Sequence, residues 1–226
     1  MSMPLLRGKT PTVARIVAGG LVPNFAADDA DSAIAVAHAV HDGGCDVLEF
    51  LNRGRGALGV FERLAEHVRS HLPSLLLGAG TITEAGSAAG YANAGATFLV
   101  APNLNAEVAR FAHRRGLPYI PGCQTPSEVS DALALGCDIV KVFPAGPLGP
   151  AWLRATLGPI DHAMFMPSNG IDATEESIGA WFEAGCACVS LGSNLFPAAA
   201  MSGRDWPAIR ANVARAMEII RRVRRD

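Results

Sequence analysis

The feature that most restricts the fold is a regular alternation. Short apolar runs of strand length recur along the chain, each followed by a longer stretch with helical spacing. The apolar runs fall at 20–25, 46–51, 74–80, 97–102, 118–122, 138–145, 163–170 and 186–193. The helical stretches fall at 31–44, 57–73, 83–95, 105–116, 125–136, 149–158, 173–185 and 205–225. A helix between two strands makes a crossover, which leaves consecutive strands parallel. The runs are apolar nearly throughout, as in strands covered on both faces. Eight such units in 226 residues predict a (β/α)8 TIM barrel, one domain over residues 1–226. The segment 3–19 reads as an extra N-terminal helix across the barrel bottom. A doubly wound open sheet is the alternative fold, but no GxGxxG fingerprint follows the first run. The clearest local signal is at 125–136, with Thr125 as N-cap, Pro126 at N1 and Glu128 at N3.

Composition excludes several classes. Half the residues are apolar and 18% are charged, enough for a sizeable core. A net charge of −2 offers no field for nucleic acid or a membrane surface. The basic tail RRVRRD (221–226) reads as the cation-rich last turn of a terminal helix. Five cysteines without a CxxC pair read as reduced, small core residues. Cys186 and Cys188 share a strand face but cannot make a four-ligand site alone. With no signal-peptide pattern after Met1 and no apolar run of spanning length, a soluble cytoplasmic protein is expected.

Barrel sites form at the C-terminal ends of the strands, so polar residues in or just after the apolar runs are informative. Lys141 is the sharpest case. The chain has only two lysines against seventeen arginines, and one of them sits inside DIVKVFPA. Alternation puts Ile139, Lys141 and Phe143 on one face. The outer helical layer has no place for an ammonium, whereas the barrel mouth does. Burial lowers a lysine pKa, and a neutral amine can attack a carbonyl to form a Schiff base. A lone strand lysine is otherwise a structural cation that snorkels or pairs. Glu49, inside DVLEFL, is a second charge in an apolar run. An amine and a carboxylate together suit imine chemistry, one as nucleophile and one moving protons; a buried ion pair is the structural alternative.

The segments GGCDVLEFLNRG, GAGTITE, GATFLVAPN, GLPYIPGCQTPSE, CDIVKVFPAG, FMPSNGID and VSLGSNLFP resemble the 2-dehydro-3-deoxy-6-phosphogluconate / 4-hydroxy-2-oxoglutarate aldolase family. The resemblance runs from about residue 20 to 200. It implies a class I, pyruvate-forming aldolase on a TIM barrel, a homotrimer that needs no metal and no cofactor. It implies Lys141 as the Schiff-base lysine and Glu49 as the general acid/base. Arg53 and Thr81 match contacts to the carboxylate of a small-molecule 2-oxo acid. Phe143 matches an aromatic of the pocket. Ser168, Asn169, Gly170, Gly192 and Ser193 match the loops that receive a phosphate. Here the chain departs from the pattern. Asn169 stands where relatives commonly carry glycine, and Ala26 where many carry a basic residue. Both departures argue against a dianionic ligand and leave an unphosphorylated substrate open. Two other readings remain open at this point: the same scaffold binding a small acid without turnover, and a metal-dependent aldolase. The latter needs a cluster of ligands, and the six histidines fall mainly on helices.

Overall fold

The computed structural model describes residues 11–224. A first helix, α1 (Pro11–Gly19), buries Val13, Ile16 and Val17. Residues 3–10 of the expected helix lie outside the described residues. Strands and helices then alternate: β1 (Leu21–Phe25), α2 (Ala30–Asp42), β2 (Val47–Leu51), α3 (Ala57–His71), β3 (Leu76–Gly80), α4 (Ala85–Ala94), β4 (Leu99–Val100) and α5 (Ala106–Arg114). They continue as β5 (Tyr119–Ile120), β6 (Gly122–Cys123), α6 (Pro126–Ala134), β7 (Ile139–Val142), α7 (Ala145–Leu157), β8 (Met164–Pro167), α8 (Glu175–Glu183) and β9 (Val189–Leu191). The described chain ends with α9 (Ala198–Ser202) and α10 (Trp206–Val223).

Every strand pairing is parallel, in the order β5-β4-β3-β2-β1-β9 and, separately, β6-β7-β8. The fold is therefore α/β and TIM-barrel-like. The strands are buried on both faces because helices cover one side and packed side chains the other. Gly78 shows how tightly the second side is filled. It pairs with Glu49, and a Cβ there would lie 2.3 Å from the ring of Phe98.

The structure differs from the sequence reading in four places. The apolar run at 118–122 is two strands of two residues each, β5 and β6, on either side of Pro121. Proline has no N–H to give to a ladder, so the hydrogen bonding breaks there and resumes with a new neighbour. Gly122 resumes it where a Cβ would lie 2.2 Å from the Pro102 carbonyl oxygen. The run at 138–145 ends as a strand at Val142, and α7 begins at Ala145 rather than 149. Gly149, at φ 70° and ψ 169°, breaks α7 ahead of Pro150. The short α9 carries no helical period long enough to be read from sequence. The capping box forms as expected: the Glu128 amide donates to Thr125 Oγ1 (3.3 Å), and the Thr125 amide donates to Glu128 Oε2 (2.9 Å).

Candidate active site

The C-terminal strand ends surround a cleft of about 370 Å³. Each of its walls follows from a strand end. Arg53 and Thr81 leave β2 and β3, and Pro102 leaves β4. Lys141 rises from β7, with Phe143 just beyond it. Ser168, Asn169 and Gly170 leave β8, and Gly192 and Ser193 leave β9. The cleft thus gathers every site residue expected from sequence except Glu49, which is fully buried and does not line it.

Lys141 is 7% exposed, and its side chain faces the cleft rather than the helical shell. Its Nζ stands 4.7 Å from the centroid of the Phe143 ring. Alternation puts these two side chains on one face, so the contact follows from strand geometry. Burial pushes the Lys141 amine below the usual lysine range. The charge of Glu49 opposes that shift and the charge of Arg53 adds to it. Burial likewise pushes the Glu49 carboxyl above the usual range, against the pull of Lys141 and Arg53. Both groups are driven toward their neutral forms by loss of water. Neither Glu49 oxygen has a hydrogen-bond partner among the described residues. A buried carboxyl with two unpartnered oxygens is a polar group that the fold alone leaves unsatisfied, which marks it as a functional candidate.

A glycine makes the place for that carboxyl. A Cβ on Gly80 would lie 1.9 Å from Glu49 Oε1 and 2.8 Å from Leu51 Cδ2. Thr81 follows at φ 61°, a left-handed conformation that is costly for a β-branched residue and turns the chain sharply at the cleft wall. Asn169 stands at φ 72° and Gly170 at φ 77°. Asparagine tolerates this region better than other side chains, which explains how it stands in a turn suited to glycine. The amides of Ala145 and Gly146, at the start of α7, donate to the carbonyls of Ser168 (3.0 Å) and Asn169 (2.9 Å) and hold this turn.

Four polar residues of the cleft were not singled out from sequence; one is Asn194, whose Nδ2 donates to the Ile171 carbonyl at 2.6 Å. Asn24 in β1 donates from Nδ2 to Ser190 Oγ in β9 at 2.9 Å, and Asp172 follows Ile171 on the β8 side. Asn24 and Ser190 are polar residues inside apolar runs, the same signal that marked Lys141 and Glu49. Asp172 carries no such mark. Thr125 and Gln124 remain structural, in the cap of α6. The histidines lie away from the cleft, and no group of three or more His, Cys, Asp or Glu side chains among the described residues is arranged to hold a metal ion. A smaller hollow of about 180 Å³, lined by Leu117, Tyr119 and Cys137, opens at the other ends of β5 and β7 and carries no comparable set.

These features define a TIM-barrel-like enzyme with an amine and a guanidinium at one mouth and a buried carboxyl that feels the charge of both. The KDPG and KHG aldolase family profile matches residues 13–212. The 2-dehydro-3-deoxy-6-phosphogalactonate aldolase of Escherichia coli K12 is 33% identical over 171 residues, covering 74% of this chain and 80% of that protein. The KHG/KDPG aldolase of the same organism is 29% identical over 211 residues, covering 93% and 96%. The KDPG aldolase of Legionella pneumophila, solved with pyruvate captured as a covalent carbinolamine, superposes with a TM-score of 0.82 at 28% identity, covering 91% of this chain and 98% of that one. The chain belongs to the KDPG and KHG aldolase family. It is an aldolase, a carbon–carbon lyase, and a small-acid binder without turnover is not favoured.

Proposed function

We propose that the protein cleaves a 4-hydroxy-2-oxo acid to pyruvate and an aldehyde through an imine on Lys141. The observation that carries this reading is a lysine 7% exposed at a cleft floor, driven toward its neutral amine by burial. Arg53 holds the substrate carboxylate, helped by Thr81, and so presents C2 to Nζ. Nζ adds to C2, and the carbinolamine loses water to leave an iminium. The C4 hydroxyl gives up its proton, the C3–C4 bond breaks, and its electron pair moves into the iminium to form an enamine. The aldehyde leaves. The enamine takes a proton at C3, and water hydrolyses the resulting iminium to free pyruvate and the amine. Glu49 accepts and returns the protons. It lies beneath the cleft floor, so its traffic runs through the carbinolamine or a bound water.

Several wider features belong to the same reading. The two sheets form one closed (β/α)8 barrel, supported by the short link at Pro121 between β5 and β6 and by the parallel bridge of Ser168 with Ser190 between β8 and β9. One domain over residues 1–226 and a homotrimer follow from the family resemblance. A cytoplasmic location is supported by five free, buried cysteines, which suit a reducing compartment.

The test is borohydride reduction with pyruvate, read by peptide mass. The expected result is a covalent adduct on Lys141, with no adduct and no turnover in Lys141→Ala. A wild-type protein that never forms the adduct, or a Lys141→Ala variant with full activity, overturns the mechanism.

A further inference from the structure

The cleft has two unlike sides. Arg53 and Thr81 stand on the side of β2 and β3, where the keto acid is held. The facing wall comes from β8, β9 and β1 and presents Ser168, Ser193, the Asn24–Ser190 pair and Asp172. Arg53 and Lys141 are the only cations among the described residues that line the cleft, and Asp172 is the only anion. Arg53 is engaged by the substrate carboxylate in the mechanism above, and Lys141 works as a neutral amine. Neither is left over for a second anion.

Backbone donors do not fill the gap at α7. Its first two amides are spent on the carbonyls of Ser168 and Asn169, so the positive end of this helix is turned into the turn and not toward the cleft. Arg204, beyond α9, pairs with Asp29 at 3.8 Å and does not line the cleft. Among the described residues the Asp172 carboxylate has no hydrogen-bond or ion-pair partner; its amide donates to Ser177 Oγ at 3.1 Å. The side chains of this wall offer hydroxyls, the carboxamides of Asn24, Asn169 and Asn194 and one carboxylate, a set that hydrogen-bonds well to hydroxyl groups and brings no cation to a phosphate.

Building on the aldolase reading, we infer that the aldehyde-forming end of the substrate is an uncharged, hydroxylated chain and not a phosphate ester, with Asp172 as the residue that selects it. Ser168, Ser193 and Asn24 exchange hydrogen bonds with its hydroxyls, and Asp172 accepts one. A terminal phosphate in the same place would bring two negative charges toward the Asp172 carboxylate.

The test compares pyruvate release by the full chain from a 2-oxo-3-deoxyhexonate and from its 6-phosphate ester. The wild type should favour the free acid by about tenfold or more in kcat/KM, the size expected of one partly screened like-charge contact. Asp172→Asn should narrow that ratio, and Asp172→Lys should reverse it. A ratio between two substrates does not move when a variant merely loses active protein. A wild type that prefers the ester, or a ratio unmoved in Asp172→Asn, overturns the inference. Borohydride trapping with pyruvate keeps the two levels apart. No adduct removes the aldolase mechanism itself, whereas an adduct together with preference for the ester removes only the assignment to Asp172.

Discussion

Gly80→Ala is the most direct probe of how the site is built. The added methyl would lie 1.9 Å from Glu49 Oε1, 2.7 Å from its Cδ and 2.8 Å from Leu51 Cδ2. To reach ordinary contact, the carboxyl must move by roughly 1.5 Å. Glu49 is fully buried, and Phe98 fills the side of the sheet toward which Gly78 and Glu49 point, so there is little free volume to receive it. Overpacking of this kind costs about 1–3 kcal/mol. For a chain of this length each kcal/mol lowers Tm by about 2–4 °C. The catalytic cost should be larger, because a displacement of about 1 Å in a positioned group costs on the order of 10²-fold in rate.

Three measurements follow on the same variant: thermal melting, kcat for pyruvate release, and borohydride trapping of pyruvate. A modest fall in Tm and a fall in kcat of about 10²-fold are expected. The adduct on Lys141 should persist, since nothing in the change touches the amine. Combining Gly80→Ala with Glu49→Gln supplies the control. If the glycine acts through the carboxyl, the double variant should be no slower than Glu49→Gln alone, a strong departure from additivity. A Gly80→Ala enzyme with wild-type kcat would refute the reasoning, as would fully additive losses.

Three further variants test the buried charges and the cap of α6. Glu49→Gln should slow turnover by about 10²–10⁴-fold. It also removes the anion that supports the Lys141 ammonium, so the amine's pKa falls further. Trapping of pyruvate needs the neutral amine and fails as pH drops through that pKa, so its acid limb should move to lower pH; a limb that moves up would contradict the coupling. At α6, Thr125→Ala should cost about 1 kcal/mol of stability in urea melts and leave kcat/KM untouched. The Glu128 carboxyl is held below its usual range, chiefly by the Gln124 amide. A lowered pKa gives stability that is present above the unfolded value of an ordinary glutamate and lost as pH falls through the folded one. Glu128→Gln should therefore flatten the acid-side loss, measured as Tm against pH.

How much of this was legible in the sequence depends on the kind of cause. Lys141 and Glu49 stood out because a charge within an apolar run contradicts its surroundings, and strand alternation then gave each a face. The alternation of runs placed the parallel order, since only a crossover can join such strands. The break at Pro121 was legible in principle, because a missing N–H must end a ladder, but a run of five residues offered no second strand to see. The features that shape the site belong to another class. Gly80 and Gly192 are small where another side chain needs room: Glu49 in the first case and, at 2.7 Å from a hypothetical Cβ, Asn24 Oδ1 in the second. Thr81 adopts a conformation that its own type disfavours. The first is a relation between residues distant in sequence, the second a backbone state that its residue type disfavours, and no local pattern encodes either. The Asn169 turn shows the consequence. From sequence, a side chain in place of glycine looked like crowding at a phosphate loop. In the structure it is an asparagine holding a left-handed turn whose carbonyls cap α7. On the inference drawn above, what opposes a bound phosphate is thus the charge of the facing wall and not Asn169. Of the residues on that wall, Asp172 is the one whose replacement changes that charge.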